Sequence, residues 1–425
     1  MSDRIRSKPK EGIPHEKKMS LKKTSPNDAI KKIKKSGTGL RTDYLVVGAG
    51  LAGCTISERI ASQLGKKVLL VEKRGHLGGN AFDYENEHRI LVQKYGPHIF
   101  HTNSERVWNY LSRFTGWNGY VHRVLAMVNG KLVHLPLNLE TMERLYDRSF
   151  TALEMEAFLE QRREKIAKPE NARDVVVSAA GTELYELFFR NYSKKQWGLY
   201  PEELGAEVTS RLPLRFDRDT RYFTDRFQGL PDAGYTRMFE RMLETGNIEI
   251  LLNTDYRKIL NETAYEKLIF TGPIDYFFDH MYGKLPYRSL DFEFKTLDVE
   301  RFQESAVVNF PNEHEYTRIT EFKHFYFQEN RKTTICYEYP RADGDPFYPF
   351  PNPACREIYQ KYRKEAEKLK NVFFLGRLAE YMYLNMDQVV EKALNLACLL
   401  AEEPDISGSH RTPGFFKDNI SVMEK

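Results

Sequence analysis

The sequence predicts an α/β fold in which a parallel-sheet domain is interrupted by a helical part and an antiparallel sheet. Three observations lead there. Asp43 to Asn80 reads as strand, glycine-rich turn, helix and second strand, with an acid at the tip of that strand. Residues 138–192 carry helical periodicity without an intervening strand. From Tyr287 to Tyr339 apolar and polar residues alternate with period two, the pattern of half-buried strands.

Tyr44-Leu45-Val46-Val47 is a short apolar run suited to a buried parallel strand. It breaks at Gly48-Ala49-Gly50-Leu51-Ala52-Gly53; a helix is predicted over Cys54 to Leu64 and a second strand over Lys67 to Val71, ending on Glu72. Gly48 permits the tight turn, Gly50 lets backbone approach a pyrophosphate, and Gly53 lets helix pack on strand. The phosphate would rest on the N–H groups that open the helix, around Leu51 and Ala52. Glu72 stands where an acid reaches ribose hydroxyls. A second glycine pair comes next, in Lys73-Arg74-Gly75-His76-Leu77-Gly78-Gly79-Asn80. A solvent turn explains it; so does backbone running close to a dinucleotide, and the stretch resembles the FAD-binding signature of glutathione-reductase-like flavoproteins. That resemblance adds Lys73, Gly79 and Asn80 to the expected FAD contacts.

A chain of 425 residues holds two or three domains. No apolar stretch approaches a membrane span, and the N-terminus is basic without an apolar segment, so neither membrane insertion nor a secretory signal is expected. Cys54, Cys336, Cys355 and Cys398 are scattered without a CxxC pair, which argues against a disulfide framework or a metal knuckle and for a reducing cytoplasm. Residues 1–41 carry 13 Lys or Arg against 4 Asp or Glu in a chain of net charge +4, so the remainder is mildly acidic. The basic stretch reads as a solvated, disordered arm rather than a nucleic-acid or lipid contact.

Further along, Tyr95-Gly96-Pro97-His98-Ile99-Phe100-His101 reads as a loop whose histidines serve equally as hydrogen-bonding scaffold or as ligands; two histidines do not make a metal site. Glu105 to Phe114 is predicted helical, and Val121 to Leu135 a hairpin turning at Asn129-Gly130. Gly181 to Tyr192 is amphipathic. Leu204 to Phe223 has little periodicity but carries Arg211, Arg215, Arg218 and Arg221. Helices are expected over Gly234 to Leu243, Glu357 to Leu369 and Met386 to Leu400, with strands over Ile248 to Leu252, Lys267 to Phe270 and Val372 to Leu375 returning to the first sheet. The antiparallel strands include LDFEF, AVVNF, HFYF and TTICYEY.

Three stretches then align together. They are Tyr95-Gly96-Pro97-His98-Ile99-Phe100-His101-Thr102; Phe188-Phe189-Arg190-Asn191-Tyr192-Ser193-Lys194-Lys195-Gln196-Trp197-Gly198, leading to Ser210-Arg211-Leu212-Pro213-Leu214-Arg215; and Thr317-Arg318-Ile319-Thr320-Glu321-Phe322-Lys323-His324. Together they closely resemble the bacterial-type UDP-galactopyranose mutases, from about Asp43 to Leu400. The resemblance implies a Rossmann-like FAD-binding domain formed by 42–104, 234–277 and 370–402. It implies an inserted helical domain over 105–117 and 136–203, and an antiparallel sheet domain over 118–135, 204–233 and 278–369, between tails 1–41 and 403–425.

The implied activity interconverts the pyranose and furanose forms of a UDP-sugar. In that family N5 of reduced FAD attacks the anomeric carbon, UDP departs, the sugar opens and recloses, and UDP returns. Arg211 and Arg318 match the family's diphosphate-binding arginines, guanidinium forks being suited to that group. Phe188, Phe189, Tyr192 and Trp197 match its uracil site, although spacing alone makes the first three an apolar helix face. Tyr222, Tyr348 and Tyr383 match diphosphate-contacting tyrosines. His98 matches a histidine beside the flavin, with a satisfied buried histidine as the plain alternative. Arg377 and Met386 fall near the FAD. The segment from Glu203 to Leu214 is expected to act as a lid carrying Arg211, and the family forms homodimers.

Three positions depart from the family pattern. Asn385 replaces a carboxylate, Met382 stands where Arg is common and His122 where Asn is common. These put the sugar in question more than the chemistry, leaving N-acetylgalactosamine or a deoxyhexose as alternatives to galactose. A different class, an amine-oxidase-like FAD oxidoreductase, shares the dinucleotide fold but needs neither the paired arginines nor the FFRNY segment.

Overall fold

A computed structural model describes residues 40–209, 214–350 and 352–402. Arg211 and most of the N-terminal arm lie outside the described residues, as do residues 403–425.

The first sheet has five strands in the order Ile248–Leu251, Val68–Val71, Tyr44–Val47, Lys267–Phe270, Val372–Phe374, and every pairing is parallel. The three central strands are apolar and almost wholly buried because both faces are covered. Tyr44, Val46, Val68 and Leu70 enter the main core, while Leu45, Val47, Leu69 and Val71 pack with Tyr256 and Phe270 on the other face. The helix after the first strand spans Leu51–Gln63 and packs against Met386–Glu402 and Tyr235–Leu243. It starts three residues before the expected Cys54, because residues 51–53 of the glycine run already form its first turn.

The second sheet has seven strands: Tyr348–Pro349, Tyr287–Leu297, Thr333–Arg341, Arg318–Glu321, Val307–Asn309, Val124–Val128, Lys131–Leu135. It is not wholly antiparallel, since Val307–Asn309 runs parallel to Val124–Val128. These two strands are not joined by a hairpin, so no turn dictates their direction. The Val124–Val128 and Lys131–Leu135 hairpin does turn at Asn129-Gly130, both with positive φ, as a primed turn requires.

Two expectations are corrected here. HFYF is not a strand: Lys323–Tyr326 is a short helix, and its Phe325 side chain is fully buried beside Phe322. Leu40–Arg41, expected within the arm, pairs in parallel with Thr263–Ala264. After the Val124–Leu135 hairpin the helices Leu139–Tyr146, Ala152–Glu160 and Ala172–Ala180 lead into Thr182–Tyr185, a π-helical turn at Glu186–Arg190, and Asn191–Trp197. Such a turn inserts one extra residue and rotates the helix beyond it. It carries the buried Phe188 and Phe189, and Tyr192 and Trp197 follow on the next helix.

Candidate functional site

The glycine loop is built by three glycines with three different constraints. Gly48 has φ +99°, and a Cβ on Gly53 would lie 1.8 Å from the Gly48 carbonyl oxygen, so both are fixed by the protein itself. Gly50 is different. Its backbone is extended, and a Cβ there would find only the Gly79 Cα, at 3.8 Å. No protein atom requires glycine at position 50, and the space in front of it is open to a ligand. The helix behind has no side-chain cap and no acid in its first turn, which leaves its leading N–H groups for an anion.

The second glycine pair faces the first: a Cβ on Gly79 would come within 2.9 Å of the Gly50 Cα. Glu72 ties the two together, accepting from the Ala49 N–H at 2.8 Å and from the Arg74 N–H at 2.9 Å. Asn80 accepts from Arg74 at 2.9 Å. Lys73 is exposed and approaches Asp345 at 3.7 Å. Gly376 closes the cradle from the other side, its φ of +96° and a would-be Cβ 3.1 Å from that of Ala52 placing the 376–377 turn over the start of the helix.

The larger cluster centres on Arg318. Arg318 and Glu338 are partners across adjacent strands, and Arg318 Nε donates to Glu338 Oε2 at 2.9 Å. Burial works against the guanidinium charge, but the Glu338 carboxylate holds it well above its ordinary value. In return Arg318 acts on Tyr192, Tyr222, Tyr348, His98 and His122, so these side chains share one electrostatic neighbourhood. Burial pushes the phenols of Tyr192, Tyr222 and Tyr348 up, keeping them protonated donors. Tyr348 stacks on Tyr383 with centroids 5.6 Å apart, and Arg377 lies over both rings. Trp197 meets Tyr348 edge-on at 6.2 Å.

His98 is placed by Gly96, whose φ is +81° and whose Cβ would crowd Phe292 at 3.1 Å and Glu338 at 3.3 Å. The ring Nδ1 lies 2.9 Å from the Gly96 carbonyl; a carbonyl only accepts, so Nδ1 carries the proton and Nε2 presents a lone pair. Burial lowers the pKa to about 4 despite the Gly96 bond, with Arg377 and Arg318 adding to the effect. His122 is neutral for the same reason, at about 3, under burial, Arg318 and His101. Its Nδ1 pairs with the Tyr120 hydroxyl at 3.1 Å, and its ring packs edge-on to Tyr222 at 5.5 Å.

Other expected residues sit differently. Phe188 and Phe189 are 4% and 7% exposed and belong to the main core. Phe189 also lines an apolar hollow with Val176, Ala180 and Leu214. Arg377 donates to the Leu384 and Phe347 carbonyls, which fixes the Tyr383 segment. Asn385 immediately precedes the Met386–Glu402 helix and its carbonyl accepts from Val389, with Met386 packed on the core. Of the arginine-rich segment, Arg215 bonds its own loop carbonyls, Arg218 pairs with Glu143 and Arg221 with Asp219. Among the described residues no His, Cys, Asp and Glu cluster could hold a metal, and the four cysteines are free.

Four residues of this region had no local signal in the sequence. Glu338 lies in an ordinary alternating strand, and only strand register brings it to Arg318. Arg288, 7% exposed, donates to the Gln196 carbonyl at 2.8 Å and anchors the end of the helix bearing Tyr192 and Trp197. Arg74 and Asp345 meet across 271 positions of sequence.

Residues 187–383 match the family described as UDP-galactopyranose mutase, and residues 46–114 match an NAD(P)-binding Rossmann-like domain. A probable UDP-galactopyranose mutase of Klebsiella pneumoniae is 39% identical over 362 residues, 84% of this chain and 94% of that protein. A dTDP-fucopyranose mutase of Escherichia coli is 35% identical over 367 residues, 84% of this chain and 97% of that protein. A crystal structure of reduced UDP-galactopyranose mutase superposes with a TM-score of 0.67 at 15% identity, over 85% of this chain and 94% of that one.

Proposed function

Because the chain belongs to the UDP-galactopyranose mutase family, and is thereby an isomerase with FAD as its cofactor, we propose that it interconverts the pyranose and furanose forms of a nucleotide-linked hexose. UDP-galactose is the first substrate to test. One observation carries the reading: a forked cation, Arg318, lies among the protonated hydroxyls of Tyr192, Tyr222 and Tyr348. That combination suits a diphosphate which must leave and return, and an amine oxidase has no use for it.

Each group of residues has its own part in the work. The N–H groups of Leu51, Ala52 and Gly53 would hold the FAD pyrophosphate, with Gly50 and Gly79 giving it room and Glu72 bracing the loop. Reduced FAD supplies the nucleophile for the anomeric carbon in a reaction without net redox change. Arg318 would bear the charge that grows on the departing diphosphate, its Nε held by Glu338. The three phenols would donate to diphosphate oxygens, and Tyr348 and Tyr383 would form one wall as a stacked pair. Neutral His98 would offer Nε2 as an acceptor to the cofactor. Trp197, edge-on to Tyr348, and Tyr192 would take the base of the nucleotide.

A second sugar has specific support. The Escherichia coli relative is named for dTDP-fucopyranose, and Asn385 stands where the family pattern has a carboxylate. The test is to incubate dithionite-reduced protein separately with UDP-galactofuranose and with dTDP-fucofuranose and monitor pyranose formation. Conversion of the first supports the default, preferential conversion of the second assigns the deoxyhexose, and conversion of neither sinks both.

A further inference from the structure

We infer that Asp345 is a positioning residue for the cofactor: an ion-pair strap, reaching from the seven-stranded sheet, that fastens the Lys73–Asn80 turn over the FAD and slows its release. The inference rests on reading Gly48–Asn80 as the FAD site.

Arg74 is the centre of the strap. Its backbone N–H donates to Glu72, and its Nη1 donates to Asn80, so one residue spans the start and the end of the second glycine turn. Its Nη2 donates to Asp345 Oδ2 at 2.9 Å, and Lys73 Nζ lies 3.7 Å from Oδ1 of the same carboxylate. The guanidinium also lies over the Tyr95 ring at 4.6 Å, with only 17% of the Arg74 side chain exposed. Tyr95 in turn bonds His76 at 2.7 Å, inside the turn.

Asp345 is itself well anchored. Two residues on, the Phe347 N–H donates to the Arg288 carbonyl at 3.0 Å, and the Phe347 ring packs against Tyr95 and Phe292. The segment therefore has a fixed end from which the carboxylate pulls. Burial opposes its charge, yet Lys73 and Arg74 keep the Asp345 carboxyl below its ordinary value. Without that carboxylate Arg74 is no longer drawn to one side, its grip on Asn80 loosens, and Gly78–Asn80 can lift from Gly50. An exposed ion pair contributes little on its own. This one is held at both ends by packed aromatics, and its expected effect is on release rather than on global stability.

The experiment records the rise of flavin fluorescence as FAD leaves the wild-type holoprotein, Asp345→Asn and Asp345→Glu, at low and high salt. Asp345→Asn should release FAD roughly fivefold faster at low salt, the scale of a partly exposed charge pair. The difference should shrink at about 1 M salt, where the Debye length is about 3 Å. Asp345→Glu should stay near wild type, and the melting temperature of the apoproteins should be the same in all three. Equal release rates for Asp345→Asn and wild type at low salt overturn the inference, as does faster release that ignores salt and tracks a lower apoprotein melting temperature. Wild-type protein that binds no FAD overturns the site reading and takes the strap with it.

Discussion

Arg318 and Glu338 face each other across neighbouring strands, with Nε and Oε2 2.9 Å apart and the carboxylate wholly buried. Among the described residues the Nη groups of Arg318 have no other hydrogen-bond partner, so the fork is left for an anion. Glu338→Gln keeps an acceptor and removes the charge. The ligand-free variant should lose about 1.5–3 kcal/mol in urea unfolding, the scale of a hydrogen bond to a charged group. UDP should still bind, and should recover more stability in the variant than in wild type, because it becomes the cation's main partner. Loss of UDP binding at unchanged stability would sink this account.

Gly50 and Gly53 separate ligand space from protein space. In Gly53→Val the new Cβ meets the Gly48 carbonyl at 1.8 Å, so that chain should fail to accumulate as folded protein. In Gly50→Val the extended backbone accepts the side chain and only the Gly79 Cα is near. The fold should persist within about 1 kcal/mol, while the isopropyl group fills the pyrophosphate's place and the protein purifies colourless. Full flavin absorbance per chain in Gly50→Val would remove this loop from the FAD site.

The parallel sheet was legible because its signals are local: apolar runs, a glycine turn and an acid within Asp43–Asn80, and short apolar runs at 248–252, 267–270 and 372–375. The hairpin at Asn129-Gly130 was legible for the same reason. HFYF misled because its alternation of aromatics looks like a strand, whereas burial of Phe325 against Phe322 decides for a helix. In the site, resemblance pointed to Arg318, Tyr192, Tyr222 and Tyr348, and the structure brings these four together. It gave no hint of Glu338 or Asp345, whose roles arise from strand register and from a loop contact 271 residues away in sequence. Periodicity suggested that Phe188 and Phe189 belong to a core, and their burial agrees.

Asn385 offers a way to separate sugar recognition from folding. It sits directly before the Met386–Glu402 helix, a position where Asn and Asp cap about equally well. Asn385→Asp should therefore leave thermal stability within about 0.5 kcal/mol. The new carboxylate should alter the ratio of kcat/KM for UDP-galactofuranose to that for dTDP-fucofuranose by about tenfold, the effect of one hydrogen-bonding or charge contact. An unchanged ratio would place residue 385 outside the sugar site.

The two neutral histidines predict an acid-side loss of stability. Burial holds His98 at about 4 and His122 at about 3, against about 6.5 in an unfolded chain. Between pH 6.5 and 4 the unfolded chain thus takes up protons that the folded chain refuses, and stability falls as pH falls. Each histidine contributes a slope of up to about 1.4 kcal/mol per pH unit. Protonating either would also set a second cation beside Arg318. Asp83, whose carboxyl burial pushes up, acts in the opposite direction, so the informative quantity is a difference between proteins. His122→Asn removes one of the two titrating rings. Urea unfolding of wild type and His122→Asn at pH 7, 6, 5 and 4.5 should give curves that converge as pH falls, with the variant's dependence shallower by about one proton. Parallel curves would mean that His122 is charged in the folded protein or accessible to water, and that its ring is not held neutral against Tyr222.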